Sequence, residues 1–310
     1  MNKVKNYLSL VKFSHTVFAM PFALIGFFLG IKNYASQWNL NKSLGLENDS
    51  MHFRDNYFIK FFLVILCMIF ARTAAMAFNR YLDRRFDAIN PRTAIREIPA
   101  GVITAKNALI FTTASCILFM ICTFFINRIC FYLSPLALFI ILFYSYTKRF
   151  TALCHVVLGI GLSLAPIGAY LAVTGKFSLL PVLFSLTVLF WVSGFDIIYA
   201  LQDEEFDKKN NLHSIPAAVG KKQALYISIF LHLLSAAFVV FAGWYAHSGI
   251  LYWIGVCFFI GMLIYQHAIV KPDDLRRVNI AFMKANGIAS VVFAAFVLSD
   301  LFTNNMLWPG

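Results

Sequence analysis

The stretch "ARTAAMAFNRYLDRRFD", Ala71 to Asp87, directly follows "FFLVILCMIF", Phe61 to Phe70. The leading run is apolar enough to enter a bilayer, and the stretch behind it carries Asn79, Asp83 and Asp87 spaced four and four. Residues three or four apart share a helix face, so an amide and two carboxylates form one stripe. Arg72 lies seven residues before Asn79, two turns back on that stripe. The stretch therefore predicts a membrane helix whose polar face ends in acids at the bilayer surface.

The rest of the chain agrees with a lipid solvent. Of its 310 residues, 60% are hydrophobic and 13% charged, with mean hydropathy +0.74. A soluble domain covers itself with about a quarter charged residues. The 34 Phe residues suit lipid contact and a greasy cavity. A spanning helix needs about 20 apolar residues, and nine stretches qualify, near 16–34, 58–79, 107–126, 130–147, 153–173, 179–200, 224–244, 250–269 and 282–302. The expected fold is an all-α integral membrane protein, one domain over 1–310. We see no cleavable signal peptide.

A net charge of +12 would suggest nucleic acid in a soluble chain. Here it predicts basic cytoplasmic loops, membrane lipid as the surroundings and no nucleic-acid partner. The N-terminal segment, Arg72 and the loops after even-numbered spans hold all 26 Lys and Arg except Lys32, Lys42, Arg54, Lys60, Arg128 and Lys176. That bias puts the N-terminus in the cytoplasm and Gly310 outside, with Asn33–Tyr57 a polar extracytoplasmic loop. The six scattered cysteines read as small apolar helix residues.

A second stretch, "GFDIIYALQDEEFDKKNNLHSIPAAVG", Gly194 to Gly220, repeats the pattern. Tyr199, Asp203 and Asp207 are spaced four and four, and Asp196 lies seven before Asp203. The two stretches end the second and sixth spans on the same side, so the two helices should face each other across one site. Four converging carboxylates would repel one another and pay for desolvation. Mg²⁺ resolves both problems, because it takes one or two carboxylates and shares its other positions with phosphate oxygens. Asp83 with Asp87, and Asp203 with Asp207, read as two half-sites for Mg²⁺ and a diphosphate. Nearby cations fit: Arg92 and Arg96 in "AINPRTAIREIPAG", and Lys148 and Arg149 in "YSYTKRF". Taken alone, Arg149 reads as a topology charge, and His15, His155 and His213 read as loop or helix-end residues.

With these motifs the chain resembles the UbiA superfamily of intramembrane aromatic prenyltransferases. The likeness rests on N-x-x-x-D-x-x-x-D at Asn79–Asp87, D-x-x-Y-A-x-x-D-x-x-x-D at Asp196–Asp207 and the span pattern. The string from Ala71 through Gly101 is similar to the 4-hydroxybenzoate polyprenyltransferase branch and to naphthoate prenyltransferases of menaquinone synthesis. The resemblance implies a helical ring around a central cavity with a cytoplasmic cap, in a bacterial cytoplasmic membrane. It implies a polyprenyl diphosphate and an aromatic acid as substrates, with Mg²⁺ as cofactor. By matching position, Asp83, Asp87, Asp203 and Asp207 would hold Mg²⁺, while Arg92, Arg96 and Lys148 would neutralise diphosphate. Arg72, Asn79, Asp196 and Tyr199 would line the cavity near the reacting carbons. Family members often carry a basic residue and then "DKP" where this chain has "KFSHT", Lys12 to Thr16, leaving Lys12 or His15 as stand-ins.

Arg72 is the expected partner of the acceptor's carboxylate, or else a buried partner of Asp196. Asp196 could orient Tyr199 or Asn79, or help remove the ring proton. Other acceptors (haem, a glycerol phosphate lipid, chlorophyllide) keep the same class of chemistry. A transporter is the rival outside catalysis, with Pro166 in "LSLAPIGAY" as its one supporting feature.

Overall fold

A computed structural model describes residues 3–11, 18–43 and 57–304. The helices are α1 (Lys3–Val11), α2 (Met20–Ser43), α3 (Tyr57–Ile89), α4 (Ala105–Ile126), α5 (Arg128–Thr147), α6 (Cys154–Thr174), α7 (Leu179–Ala200), α8 (Glu204–Lys209), α9 (Ile215–Tyr245), α10 (Ile250–Ile269) and α11 (Asn286–Thr303). A 3-10 turn, Leu201–Asp203, joins α7 to α8, and a π-helical turn, Ile280–Ala285, leads into α11.

Local chemistry sets many of the boundaries. Thr104, Asn127 and Ser214 accept backbone N–H groups of Asn107, Cys130 and Ala217 and so cap α4, α5 and α9. Gly175 ends α6 in the left-handed region at φ 63°. Eight of the described helical stretches are long and apolar enough to cross a membrane. The expected first span coincides with the start of α2, which is not among the eight because its second half is polar. That half, through Ser43, makes helix of the first part of the expected 33–57 loop, and 44–56 lie outside the described residues.

Two boundaries differ from expectation at the site. The stripe Tyr199, Asp203, Asp207 does not run along one continuous helix: α7 stops at Ala200, tightens into the 3-10 turn and restarts as α8. Tightening into 3-10 geometry is a common way for a helix to end. Three acids in the first turn of α8 and Lys208 and Lys209 in its last suit the helix dipole. The seventh span starts earlier than 224, because α9 begins at Ile215 and kinks at Gly220, φ 81°.

Packing follows chain order. α3 lies on α4, α5 on α6, α6 on α7, α7 on α9 and α10 on α11, while α2 closes the ring by touching α6, α7 and α11. Close approach needs small residues in a bilayer, where burial alone does not drive helices together. A Cβ on Gly26 would sit 2.0 Å from the Pro166 carbonyl oxygen, so this glycine lets α2 press on α6. α6 runs unbroken through Pro166, which removes the feature a transporter reading used. Around the aromatic core of Phe22, Phe184, Trp191, Tyr252, Phe259 and Phe293, all fully buried, the helices lock by hydrogen bonds. Trp191 Nε1 and Gln266 Nε2 both donate to Asn286 Oδ1, at 2.9 and 2.7 Å.

At one end of the ring, 90–104, 148–153, 201–214 and 270–279 form a cap. α1 lies under it: Leu10 packs with Ala77, Ile103 and Ala108, and Ser9 Oγ donates to Glu97 Oε1 at 2.5 Å.

Candidate active site

The long α3 carries the first acidic stripe intact to the cap. Asn79 Nδ2 donates to Asp83 Oδ2 at 3.1 Å, as the spacing of four predicts. Asp87 is buried, and Arg96 Nη1 donates to its Oδ1 at 2.6 Å. From the loop after α3, Arg92 reaches a residue 111 positions away. Its guanidinium donates from Nε to Asp203 Oδ1 at 3.1 Å and from Nη2 to Asp203 Oδ2, a forked pair, and from Nη1 to the Tyr199 hydroxyl at 2.9 Å. The two acidic stretches therefore meet, as the sequence predicts.

The second half-site is tied down from the opposite wall. Asp207 is fully buried; Lys148 Nζ lies 2.8 Å from its Oδ1, and Ser214 Oγ donates to its Oδ2 at 2.8 Å. Burial works against the Lys148 charge, but the Asp207 carboxylate outweighs it and holds the pKa above the ordinary lysine value. Lys148 thus stays protonated at every pH below that ordinary value and loses its charge only above the raised one. At Arg92, burial is likewise outweighed by Asp203 and then Tyr199, which raise its pKa.

Arg149 is more than a topology charge. Its Nη2 donates to the Leu82 carbonyl at 2.8 Å and to Asp83 Oδ1 at 3.4 Å. Each of the four aspartates thus faces a cation: Asp83 Arg149, Asp87 Arg96 and more distantly Arg80, Asp203 Arg92 and Asp207 Lys148. Unpaired, carboxylates in this setting would cost several kcal/mol each. Arg80, which the motifs did not single out, is buried 4.0 Å from Asp87.

These groups line a polar cavity of about 250 Å³. An apolar cavity of about 400 Å³ between α3, α4, α5 and α6 shares Arg72, Tyr144, Leu158 and Leu162 with it. Arg72 stands at that junction. Its Nε is buried with no hydrogen-bond partner, and the expected alternative, a pair with Asp196, does not form. Asp196 instead meets His155, whose Nδ1 is 2.7 Å from Asp196 Oδ2. His155, read from sequence as a helix-end residue, is 3% exposed and belongs to the polar cavity. The Tyr199 ring stacks on Phe282 at 4.2 Å between centroids. Lys12 and His15 lie outside the described residues.

Among the described residues no three carboxylates, histidines or cysteines converge into a ready-made metal centre. The donor set still suits Mg²⁺: all four candidate donors are hard carboxylates, and Asp87 Oδ2 is buried without a hydrogen-bond partner. An ion that draws on one or two carboxylates and completes its shell with phosphate oxygens fits paired half-sites better than a closed cage would.

Comparison with known proteins identifies the family and the fold. The pattern of the UbiA prenyltransferase family matches residues 52–288. The 4-hydroxybenzoate octaprenyltransferase of Tolumonas auensis is 31% identical over 228 residues, covering 74% of this chain and 79% of that protein. The apo structure of a UbiA homologue from Aeropyrum pernix K1 superposes with a TM-score of 0.74 at 26% identity, over 94% of this chain and 98% of the other. A UbiA homologue from Archaeoglobus fulgidus, solved with DMAPP and Mg²⁺, shares the fold with a TM-score of 0.70 at 19% identity, over 96% and 99% of the two chains.

Proposed function

This chain belongs to the UbiA prenyltransferase family, and from that premise we propose that it transfers a polyprenyl group from polyprenyl diphosphate to the ring of an aromatic acid. The acceptor is 4-hydroxybenzoate or a dihydroxynaphthoate, and the product a precursor of ubiquinone or menaquinone. The observation that carries this reading is the Arg92 fork, which joins both acidic stretches at a polar cavity that shares a wall with an apolar one. A diphosphate head and a hydrocarbon tail are the two halves of one substrate matched to those two cavities. The name of the Tolumonas auensis relative supports the aromatic acid.

Asp83, Asp87, Asp203 and Asp207 would hold Mg²⁺, which when bound neutralises the charge that develops on a departing diphosphate. Arg92, Arg96, Arg149 and Lys148 exchange their carboxylate partners for phosphate oxygens, the arginines by forked hydrogen bonds. Preorganised cations of this kind act where charge develops in the transition state. The apolar cavity keeps water from the allylic cation, and the stacked Tyr199 and Phe282 offer it aromatic faces. Asn79 holds the Asp83 carboxylate in place. Arg72, with its unpartnered Nε, receives the acceptor's carboxylate. Asp196 borders the cavity where the ring proton leaves. The basic loops support an orientation with the cap and the N-terminus on the cytoplasmic side of a bacterial inner membrane and Gly310 outside.

The test is product formation by the purified protein in detergent with labelled polyprenyl diphosphate. We expect label in 4-hydroxybenzoate or a dihydroxynaphthoate with Mg²⁺ and none after EDTA. Label in haem or a glycerol phosphate lipid, with none in either aromatic acid, would overturn the acceptor.

A further inference from the structure

His155 is the second residue of α6, buried, with both ring nitrogens engaged. Nε2 lies 3.3 Å from the backbone nitrogen of Ile215. A backbone N–H can only donate, so Nε2 is the acceptor. In a neutral imidazole the other nitrogen then carries the proton, which fixes the tautomer. Nδ1–H therefore donates to Asp196 Oδ2, 2.7 Å away. Asp196 retains 22% side-chain exposure, toward the polar cavity, and has no other hydrogen-bond partner among the described residues.

The anchor behind His155 is rigid. Ile215 follows Ser214, which caps α9 and donates to Asp207. The loop before it is pinned by the His213 N–H on the Lys148 carbonyl at 2.7 Å. One imidazole thus ties the Asp196 carboxylate to the segment that holds Asp207.

Resting on the prenyl-transfer reading above, we infer that His155 is a positioning residue that fixes Asp196 with one oxygen turned to the cavity, as acceptor of the ring proton. The C1–oxygen bond to diphosphate breaks with its electron pair leaving on diphosphate, and the ring carbon then forms its bond to C1 of the allylic cation. The C–H electrons then return to the ring, and the proton passes to the free oxygen of Asp196. The Ile215 N–H occupies Nε2, so the ring proton goes to Asp196 and not to the imidazole. Without the Nδ1–H bond the carboxylate can turn about its side chain, and proton removal slows.

The experiment compares His155→Asn, His155→Gln and His155→Phe. The Asn amide nitrogen falls near the place of Nδ1 and can still donate to Asp196; the Gln amide nitrogen falls near Nε2 and cannot do so in the same pose. We expect His155→Phe to lower kcat about 100-fold, the scale of a general-base contribution, with KM for both substrates within about threefold. His155→Asn should recover most of that loss and His155→Gln little. An acceptor deuterated at the reacting ring carbon should show no primary isotope effect with the native protein and a clear one with His155→Phe and His155→Gln. Equal kcat for the Asn and Gln variants, or loss of activity with both KM values raised and no isotope effect, would overturn the inference. If His155→Phe does not fold, the Asn–Gln comparison decides alone. Failure of the prenyl-transfer reading looks different, since the native protein would then make no prenylated ring.

Discussion

Asp203→Asn should reduce kcat/KM for prenyl transfer about 100- to 1,000-fold, the scale seen when one preorganised charge-stabilising group is removed. The substitution keeps the shape of the side chain and one acceptor for Arg92, so the cap stays folded and the melting temperature moves little. What disappears is the charge. Asp203 is where the forked guanidinium of Arg92 closes the two half-sites. A neutral amide holds that guanidinium weakly and offers a divalent ion nothing comparable. Measuring initial rates beside a thermal melt separates the outcomes. A variant that keeps most of its activity would mean that the two acidic stretches do not share one substrate.

Arg72→Gln should act on the other substrate. Hydrogen bonds to a charged group contribute about 1.5–3 kcal/mol, which corresponds to about 10- to 100-fold in KM for the aromatic acid. KM for the prenyl diphosphate should stay within about threefold, because that head group binds in the cap and its tail in the apolar cavity. A phenol without the carboxylate should be used equally by both proteins. Arg72 is a cation inside a membrane span with a buried, unpartnered Nε, an arrangement that rarely persists without a function. An unchanged acceptor KM beside a collapsed melting temperature would assign Arg72 a structural task instead.

The sequence was most legible where the physics is local. Asn79, Asp83 and Asp87 fall on one stripe because helix periodicity is set by neighbours, and the Asn79–Asp83 hydrogen bond follows directly from it. The meeting of the two acidic stretches was legible only because the pattern occurs twice; nothing in either copy states that Arg92 will reach Asp203. The break after Ala200 was not legible, since the spacing of four continues across it. His155 stayed hidden for a related reason. Its partner Asp196 lies 41 residues away on the neighbouring helix, and a histidine beside a helix start looks like any boundary residue. Arg149 shared that fate, since its bond to the Leu82 carbonyl depends on how α3 and the loop after α5 pack.

A single physical idea joins these results: four carboxylates and the cations beside them neutralise one another until the substrate arrives. A metal alone must pull carboxylates from their cations, and a diphosphate alone must pull cations from their carboxylates. Together they satisfy both sets. Binding of inorganic pyrophosphate to the purified protein, followed by calorimetry with and without Mg²⁺ and corrected for their association in solution, tests this directly. The account predicts coupling near the upper end of the usual 5- to 150-fold range, with Mg²⁺ affinity raised by pyrophosphate by the same factor. Pyrophosphate that binds equally well with and without the metal would contradict it.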